Sequence, residues 1–171
     1  MNEKPLAVML CGISGSGKTS LSRLLEKEGY IRLSVDEEMR KENSAAEEIK
    51  VLREKAIERI KTKLSEVLIN GGNAVLDISF CHKSQRDEFK ALIEKSGGVW
   101  RLFYLKADFE ILKKRLSERV KTDDPNSIPV SEKELSGFWE RFEAPFGEGE
   151  IVINSEKPFD LCKIKNNLMD F

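Results

Sequence analysis

The run over residues 12–19 constrains the fold of this chain more than any other feature. Its sequence, GISGSGKT, has the spacing G-x-x-x-x-G-K-T of a phosphate-binding P-loop. An apolar, strand-like segment at 6–11 (LAVMLC) precedes it, and Leu21, Leu24 and Leu25 mark one face of a helix-like segment after it. This order predicts a strand, a glycine-rich turn and a helix that together bind a nucleoside triphosphate.

Each residue type in the loop has a physical role in phosphate binding. The glycines let the backbone approach a phosphate closely, and the loop amides and the helix N-terminus present partial positive charge to the anion. Lys18 is expected between the β- and γ-phosphates, and the Thr19 hydroxyl is expected to face Mg²⁺. The alternative is a glycine-rich turn without a ligand. The predicted nucleotide-binding residues are Gly12, Ile13, Ser14, Gly15, Ser16, Gly17, Lys18, Thr19 and Ser20.

Composition limits the remaining possibilities. The chain has 171 residues, 40% of them apolar, so we expect a single domain over 1–171 with a substantial core. The 29 basic and 30 acidic residues give a formal net charge of −1, which argues against non-specific binding of nucleic acid without excluding a nucleic-acid substrate.

Cysteine usage and the N-terminal region bear on location. The three cysteines, Cys11, Cys81 and Cys162, lie far apart and show no metal-ligand or disulfide spacing, which suits a reducing compartment. A run of six apolar residues near the N-terminus is too short for a signal sequence or a membrane span. We therefore expect a cytoplasmic protein without a membrane partner. The single histidine, His82, excludes a histidine-rich metal site and is expected at a helix start or on the surface.

Strand-like and helix-like segments alternate along the chain. Near-continuous apolar runs suit parallel strands that are buried on both faces, and the alternation with helices predicts an α/β fold. We expect a mainly parallel, five-stranded sheet with helices on both faces. The predicted strands are 6–11, 31–35, 74–79, 99–106 and 150–154.

The predicted helices after the P-loop helix have recognisable boundaries. Capping-box patterns at Ser44–Glu47 and Ser131–Glu134 each predict a helix start. Two prolines and the lack of an apolar period predict a loop at 121–130. The helices are expected at 44–69, 83–95, 109–120, 131 to about 143, and 159–169.

Two aspartates lie near the carboxyl ends of predicted strands, at the edge of the sheet where ligands of open α/β folds bind. Asp36 follows the second strand and is the candidate general base, or the residue that orients the attacking hydroxyl. Asp77, in the third strand, is the candidate for the Mg²⁺ shell, through water. The two roles can be exchanged. The alternatives are a helix N-cap for Asp36 and a structural hydrogen-bond acceptor for Asp77.

Basic residues near the predicted loop at 121–130 are candidates for phosphate contacts. Arg115 and Arg119 are four residues apart, so they share a helix face and are predicted to close over the phosphates and neutralise transition-state charge. The alternative is a solvated basic face that pairs with nearby glutamates. Arg86, on the helix after Asp77, is a weaker candidate.

These motifs resemble the small P-loop kinases of the AAA_33 or zeta-toxin-like group, which includes the kinase domains of polynucleotide kinases and chloramphenicol phosphotransferase. The resemblance rests on the P-loop, L-S-x-D ending at Asp36, V-L-D ending at Asp77, R-x-x-x-R at 115–119 and RFEAPFGEGE at 141–150. It implies a P-loop NTPase fold like that of nucleoside monophosphate kinases, with a lid at about 115–131. It also implies ATP and Mg²⁺ as cofactors.

Residue roles can be carried over by this resemblance. Lys18 and Asp36 match the P-loop lysine and the catalytic aspartate, and Arg115 and Arg119 match the lid pair. Arg86 matches an arginine that follows the second strand-end aspartate, and it is a candidate for substrate contact together with Asp36. The group often has an arginine three residues after the first aspartate; that place is Met39 here, and Arg40 follows it, which leaves Arg40 as the nearest candidate for that contact. The resemblance places adenine near Asn154 and Ser155.

We therefore expect a kinase that transfers the γ-phosphate of ATP to a hydroxyl of a small molecule. One alternative is a kinase of nucleotide or nucleic-acid 5′-hydroxyls, and another is a nucleotide-dependent switch or partner-binding protein without kinase activity. Neither the acceptor nor any protein partner can be identified from the residues. Three aromatic residues before the last strand are expected to face the core and dock the last helix onto the sheet, with lining of the nucleotide or acceptor pocket as the alternative: Trp139, Phe142 and Phe146.

Overall fold

A central sheet of parallel strands organises the computed structural model, which describes residues 4–41, 48–122 and 130–169. The strand order is β2-β3-β1-β4-β5, and all four pairings are parallel. The predicted sheet is confirmed, although β2 and β3 end one and two residues earlier than expected. The strands are β1 (Leu6–Cys11), β2 (Ile31–Ser34), β3 (Ala74–Asp77), β4 (Val99–Lys106) and β5 (Glu150–Asn154).

Helices connect these strands, and most of the predicted ones are present. The chain also forms a short helix directly after β2 that the sequence did not predict as a separate element, since six residues are too few to show a period. The helices are α1 (Lys18–Lys27), α2 (Val35–Arg40), α3 (Ile49–Ile69), α4 (Lys83–Lys95), α5 (Phe109–Thr122), α6 (Glu132–Arg141) and α7 (Leu161–Met169).

The helix boundaries test the predicted caps. Ser131 forms the expected capping box, because its Oγ accepts a hydrogen bond from the Glu134 amide (3.2 Å) and its own amide donates to Glu134 Oε2 (2.8 Å). The other predicted capping box, Ser44–Glu47, lies outside the described residues. Helix α5 continues two residues past its predicted end at 120, so the predicted loop at 121–130 begins too early.

Two apolar clusters bury the two faces of the sheet. Alternate residues of β1 belong to different clusters, with Ala7 and Met9 facing the side covered by α3 and α4 and Val8 and Leu10 facing the side covered by α1 and α7. All six residues of β1 are buried, as a strand covered on both faces requires. In α3 the buried residues recur every fourth position and form one apolar face of the helix: Ala56, Ile60, Leu64 and Leu68.

This topology brings the carboxyl ends of β1, β2 and β3 to one edge of the sheet. The P-loop leaves β1 there, α2 leaves β2 there, and Asp77 ends β3 there. Because β1 lies beside β3, and β3 beside β2, the two predicted aspartates come close to the P-loop. In the described ranges, none of the helices combines the length and the apolar content that crossing a bilayer requires.

Candidate active site

The P-loop turns sharply between β1 and α1 and encloses its own lysine. Gly17 has φ of 94°, a left-handed conformation that favours glycine, and it forms the N-cap of α1. A Cβ on Gly12 would lie 2.5 Å from Ser16 Oγ, so a larger residue would clash. Lys18 Nζ donates to the carbonyl oxygens of Gly12 (2.7 Å) and Ile13 (3.1 Å). The ammonium group is thereby held at the centre of the loop, where a bound phosphate would meet it.

Two aspartates share a cleft of about 210 Å³ with the P-loop, which we term the inner cleft. Its lining includes Lys18, Thr19, Asp36 and Asp77. Burial raises the pKa of Asp36, and the negative charge of Asp77 raises it further. Burial lowers the pKa of Lys18, an effect that the charge of Asp77 opposes. The sequence-predicted catalytic lysine and both carboxylates therefore meet in one cleft.

Asp36 lies in the first turn of α2 rather than at its cap. Helix α2 begins at Val35, and Ser34 occupies the N-cap position with extended backbone angles. The alternative interpretation of Asp36 as an N-cap is therefore wrong. Its partly exposed carboxylate faces the inner cleft, two residues beyond the end of β2.

Asp77 is held by a buried network that the sequence analysis missed. Its Oδ2 accepts hydrogen bonds from Ser22 Oγ (3.1 Å) and Arg32 Nη2 (3.2 Å). Arg32 Nε also donates to Ser22 Oγ (2.8 Å), and its Nη1 pairs with Glu37. These bonds fix the orientation of the carboxylate. The signal in the sequence was a charged residue inside an apolar strand, where an arginine needs a partner.

The oxygen donors of this cleft suit a magnesium ion. Thr19, which carries a hydroxyl, and Asp77, which carries a carboxylate, line the same cleft. Among the described residues no group of three or more His, Cys, Asp or Glu side chains is able to hold a metal. Mg²⁺ is usually bound by one or two protein oxygens together with waters and substrate phosphates. Thr19 and Asp77 therefore fit a metal that is bound jointly with a nucleotide, and not one that the protein holds alone.

A second cavity, of about 510 Å³, also borders the P-loop, and we term it the outer cavity. The segment after β5 forms much of its wall, including Ser155 and Phe159. The Phe159 ring packs against Gly17, where an added Cβ would lie 3.0 Å from Phe159 Cζ. The cavity thus offers an aromatic surface beside the P-loop.

The two predicted lid arginines occupy different positions. Arg115 donates to the carbonyl oxygens of Gly15 (3.2 Å) and Ser155 (2.6 Å), so it joins α5 to the P-loop and to the segment after β5. Arg119 lines both the inner cleft and the outer cavity. Arg119 is thus the arginine placed between the two spaces, whereas Arg115 binds backbone.

The structure adds a cationic residue that the sequence analysis did not single out. Arg53 of α3 lines the inner cleft, and its Nη2 donates to Ser79 Oγ (3.1 Å). Its positive charge lowers the pKa of Asp36. Nothing in the local sequence distinguishes this arginine from the other charged residues of α3. Only the packing of α3 beside β3 brings it to the cleft.

Arg40 and Arg86 are less well placed than predicted for substrate contact. Arg40 is an exposed residue at the end of α2, where its charge lowers the pKa of Asp36, but it is not among the described residues that line either space. Arg86 is 1% exposed. It donates to the Glu148 carboxylate (2.6 and 2.8 Å) and to the carbonyl oxygens of Phe80 and Glu143. This geometry favours a structural role for Arg86.

We expect Glu148→Gln to lower the free energy of unfolding by about 3–5 kcal/mol, because it leaves the Arg86 guanidinium buried without its counter-charge. Arg86 holds the pKa of Glu148 below its usual value. The pair therefore stabilises the fold above the ordinary glutamate pKa, and the effect is lost as pH falls through the lowered value. Urea titrations at neutral and acidic pH measure the loss of unfolding free energy and its dependence on pH. Asp87→Asn, which breaks an exposed pair with Lys83, is the control and should change little; an equal loss there would contradict the account.

The predicted core positions of the three aromatic residues before β5 are only partly observed. Phe142 packs on Tyr104 with ring centroids 5.8 Å apart, as expected for a core anchor. Trp139 is 43% exposed and packs edge-on against Phe109, whereas Phe146 is 92% exposed, so its predicted core position is wrong. Phe138, which the sequence analysis did not select, lines the inner cleft. Phe138 and Trp139 are consecutive residues of α6, so the helix directs their side chains to different faces. Trp139 packs against α5, and Phe138 faces the cleft.

A family model described as an AAA domain, AAA_33, matches residues 8–145. The chain belongs to the AAA_33 family. The match includes the P-loop, both aspartates, Arg53 and both lid arginines, so the predicted family is confirmed. No curated protein sequence matches this AAA_33 protein.

Solved structures share its fold. A candidate kinase from Chloroflexus aurantiacus has a TM-score of 0.77 at 17% identity, with 96% of each chain covered. The APS kinase of Mycobacterium tuberculosis, solved with AMPPNP and APS, has a TM-score of 0.71 at 14% identity over 98% of this chain and 99% of that one. A component of an RNA repair complex has a TM-score of 0.69 at 15% identity over 82% of this chain and 45% of that one.

These similarities establish the fold of small P-loop kinases, which confirms the predicted fold class. This chain spans less than half of the RNA repair component, so the similarity to that protein concerns one part of it. Family and fold together support the prediction of an enzyme of the kinase class.

Proposed function

We propose that this AAA_33 protein is an ATP- and Mg²⁺-dependent phosphotransferase that transfers the γ-phosphate to a hydroxyl of a small molecule. The observation that carries the proposal is the meeting of Lys18, Asp36 and Asp77 in one cleft at the end of the P-loop. Phosphoryl transfer needs positioned reactants, cations on the transferred group and a carboxylate near the attacking hydroxyl. The inner cleft offers each of these groups.

The outer cavity suits the nucleotide, and the inner cleft suits the transfer of its γ-phosphate to the acceptor. The outer cavity, with Phe159 and the Arg115-anchored segment after β5, would take the base and sugar of the nucleotide. The P-loop amides and Lys18 would hold the phosphates. In this position the γ-phosphate would point towards the inner cleft. Arg119 lines both spaces and would neutralise charge on the transferring group.

Asp36 would act on the acceptor. Its carboxylate would accept a hydrogen bond from the acceptor hydroxyl and take the proton as the oxygen bonds to the γ-phosphorus and the bond to the bridging oxygen of ADP breaks. Asp77 stays oriented by Arg32 and Ser22. With Thr19 it would hold Mg²⁺, which supplies charge neutralisation at the phosphates.

We also propose that the chain is a single domain with its lid around 115–131. Arg115 and Arg119 lie on α5, which leads into this segment, while residues 123–129 lie outside the described residues. The cytoplasmic location stays a prediction from cysteine usage.

The raised pKa of Asp36 predicts an acid limb in the rate profile. At saturating ATP, kcat/KM for the acceptor should fall as pH drops through the pKa of Asp36, because only the ionised carboxylate accepts the proton. The midpoint should lie above the ordinary aspartate value of 3.8. Initial rates across pH measure it, and Asp36→Asn should lose this limb. A midpoint at or below 3.8, or a limb retained in Asp36→Asn, would contradict the assignment.

A nucleic-acid or nucleotide 5′-hydroxyl kinase is the second candidate function, and the similarity to the RNA repair component favours it. The near-neutral composition, with a net charge of −1, does not. ATP turnover against sugars, nucleosides and short oligonucleotides at low salt, with and without Mg²⁺, separates the two. Stimulation by small molecules alone supports the main proposal, and stimulation by oligonucleotides alone supports the second. Nucleotide binding without stimulation in any arm supports a nucleotide-dependent switch.

A further inference from the structure

One cation of the inner cleft lies on the side away from the nucleotide. Lys18 belongs to the P-loop, and Arg119 also lines the outer cavity. Arg53 is an exposed residue that lines the inner cleft and not the outer cavity, and it also borders a groove along α3 beside Glu54 and Glu58. It extends from the first turns of α3 to Ser79, just beyond the end of β3. Arg53 therefore faces the space where an acceptor would bind.

Two of the three carboxylates in the inner cleft have partners other than Arg53. Asp77 is paired with Arg32 at 3.2 Å, and Glu134 is held by Ser131 in the capping box of α6. Asp36 remains as the carboxylate that Arg53 influences, and in the proposed reaction it faces the acceptor hydroxyl. An acceptor that carries its own negative charge would meet the guanidinium of Arg53 while it presents a hydroxyl to Asp36.

The remaining wall is apolar and the space is small. Met39, Ile49, Val130 and Phe138 line it, and Ile49 is 70% exposed at the start of α3. A volume of about 210 Å³ is below the roughly 300–1,000 Å³ of drug-sized ligand sites. These walls fit a compact acceptor with a short carbon skeleton.

We propose that the acceptor is a small hydroxyl compound with an oxyanion group, a carboxylate or a phosphate, and that Arg53 binds that group. The planar guanidinium of arginine matches both oxyanions and binds them through two parallel hydrogen bonds. This inference rests on the proposed kinase function. It makes Arg53 the residue that distinguishes charged acceptors from their neutral analogues.

Matched acceptor pairs test this substrate class. Transfer from ATP should be faster to glycerate than to glycerol if the group is a carboxylate, and to glycerol 3-phosphate than to glycerol if it is a phosphate. For the preferred member, Arg53→Gln should raise KM by about 10- to 100-fold with a much smaller change in kcat, as expected for loss of a charged hydrogen bond. Arg53→Lys should restore part of the affinity. Equal use of the neutral members, or an unchanged KM in Arg53→Gln, would overturn the proposal.

A binding measurement keeps this test independent of turnover. Sulfate and acetate are titrated into the ¹⁵N-labelled protein with Mg²⁺ and AMPPNP present to fill the P-loop, and the Ser79 amide is followed by NMR. A saturable shift is expected in the wild type and in Lys61→Gln, which changes a cation of α3 that pairs with Glu58 and Glu88. The shift should be lost in Arg53→Gln. Its absence in the wild type would overturn the proposal.

The two readouts separate failure of this inference from failure of the proposed function. An Arg53-dependent shift without transfer to any acceptor would leave the anion site supported and the kinase function contradicted. Transfer to a neutral acceptor without such a shift would support the kinase and overturn the anionic acceptor.

Discussion

Lys18→Ala is expected to reduce the rate of phosphoryl transfer by about 10²- to 10³-fold or more, because it removes the ammonium that the P-loop holds for the phosphates. It should also weaken ATP binding, since the same charge stabilises the bound nucleotide in the ground state. Turnover assays and nucleotide titrations measure the two effects separately. The variant also loses the hydrogen bonds from Lys18 to the Gly12 and Ile13 carbonyl oxygens, so its free energy of unfolding is measured alongside to confirm that the fold persists.

Lys27→Ala is the matched control. Lys27 is an exposed lysine in the last turn of the same helix, at the end away from the P-loop. Its loss should leave both turnover and nucleotide affinity unchanged. If the Lys18 variant kept wild-type turnover, or if both variants lost it equally, the P-loop would not be the phosphate site.

Asp36→Asn should lower kcat by about 10²- to 10⁴-fold, the range for loss of a positioned general base. Its effect should differ in kind from that of Lys18→Ala. Asp36 lies on α2 across the inner cleft from the P-loop, so ATP affinity should be nearly unchanged. Single-turnover rates at saturating ATP, together with nucleotide titrations, distinguish the two variants.

Asp87→Asn, on the exposed face of α4, is the control for the carboxylate change. Wild-type turnover in Asp36→Asn would remove Asp36 from the mechanism. If Asp77→Asn alone then lost turnover without loss of Mg²⁺ dependence, the two aspartates would have exchanged roles.

The parts of the site that could be predicted are those fixed by short stretches of sequence. Seven consecutive residues carry the spacing of the P-loop from Gly12 to Lys18. Asp36 follows one strand, and Asp77 is the last residue of another. In a parallel sheet the carboxyl ends of neighbouring strands meet at one edge, so strand order alone brings these groups together. Local pattern and fold class were therefore sufficient to predict that Lys18, Asp36 and Asp77 lie close together.

The parts that could not be predicted depend on packing between distant segments. Arg86 is buried because Glu148, 62 residues further along, reaches it. Arg53 enters the cleft because α3 packs beside β3, and Arg32 reaches Asp77 across the β2–β3 pair. A basic residue on a charged helix has the same local sequence whether it faces solvent or a substrate. Phe146 shows the converse, since its surroundings suggested the core and the fold leaves it exposed.

The most direct test of the account is transfer of labelled phosphate from ATP. The protein is incubated with Mg²⁺, ATP that carries ¹⁸O in its γ-phosphate, and a small-molecule extract of cells, and mass spectrometry follows the label. The account predicts a labelled phosphate monoester that forms with the wild type and is absent with Lys18→Ala and Asp36→Asn. Label found only in inorganic phosphate, or in an ester that forms equally well with both variants, would contradict it.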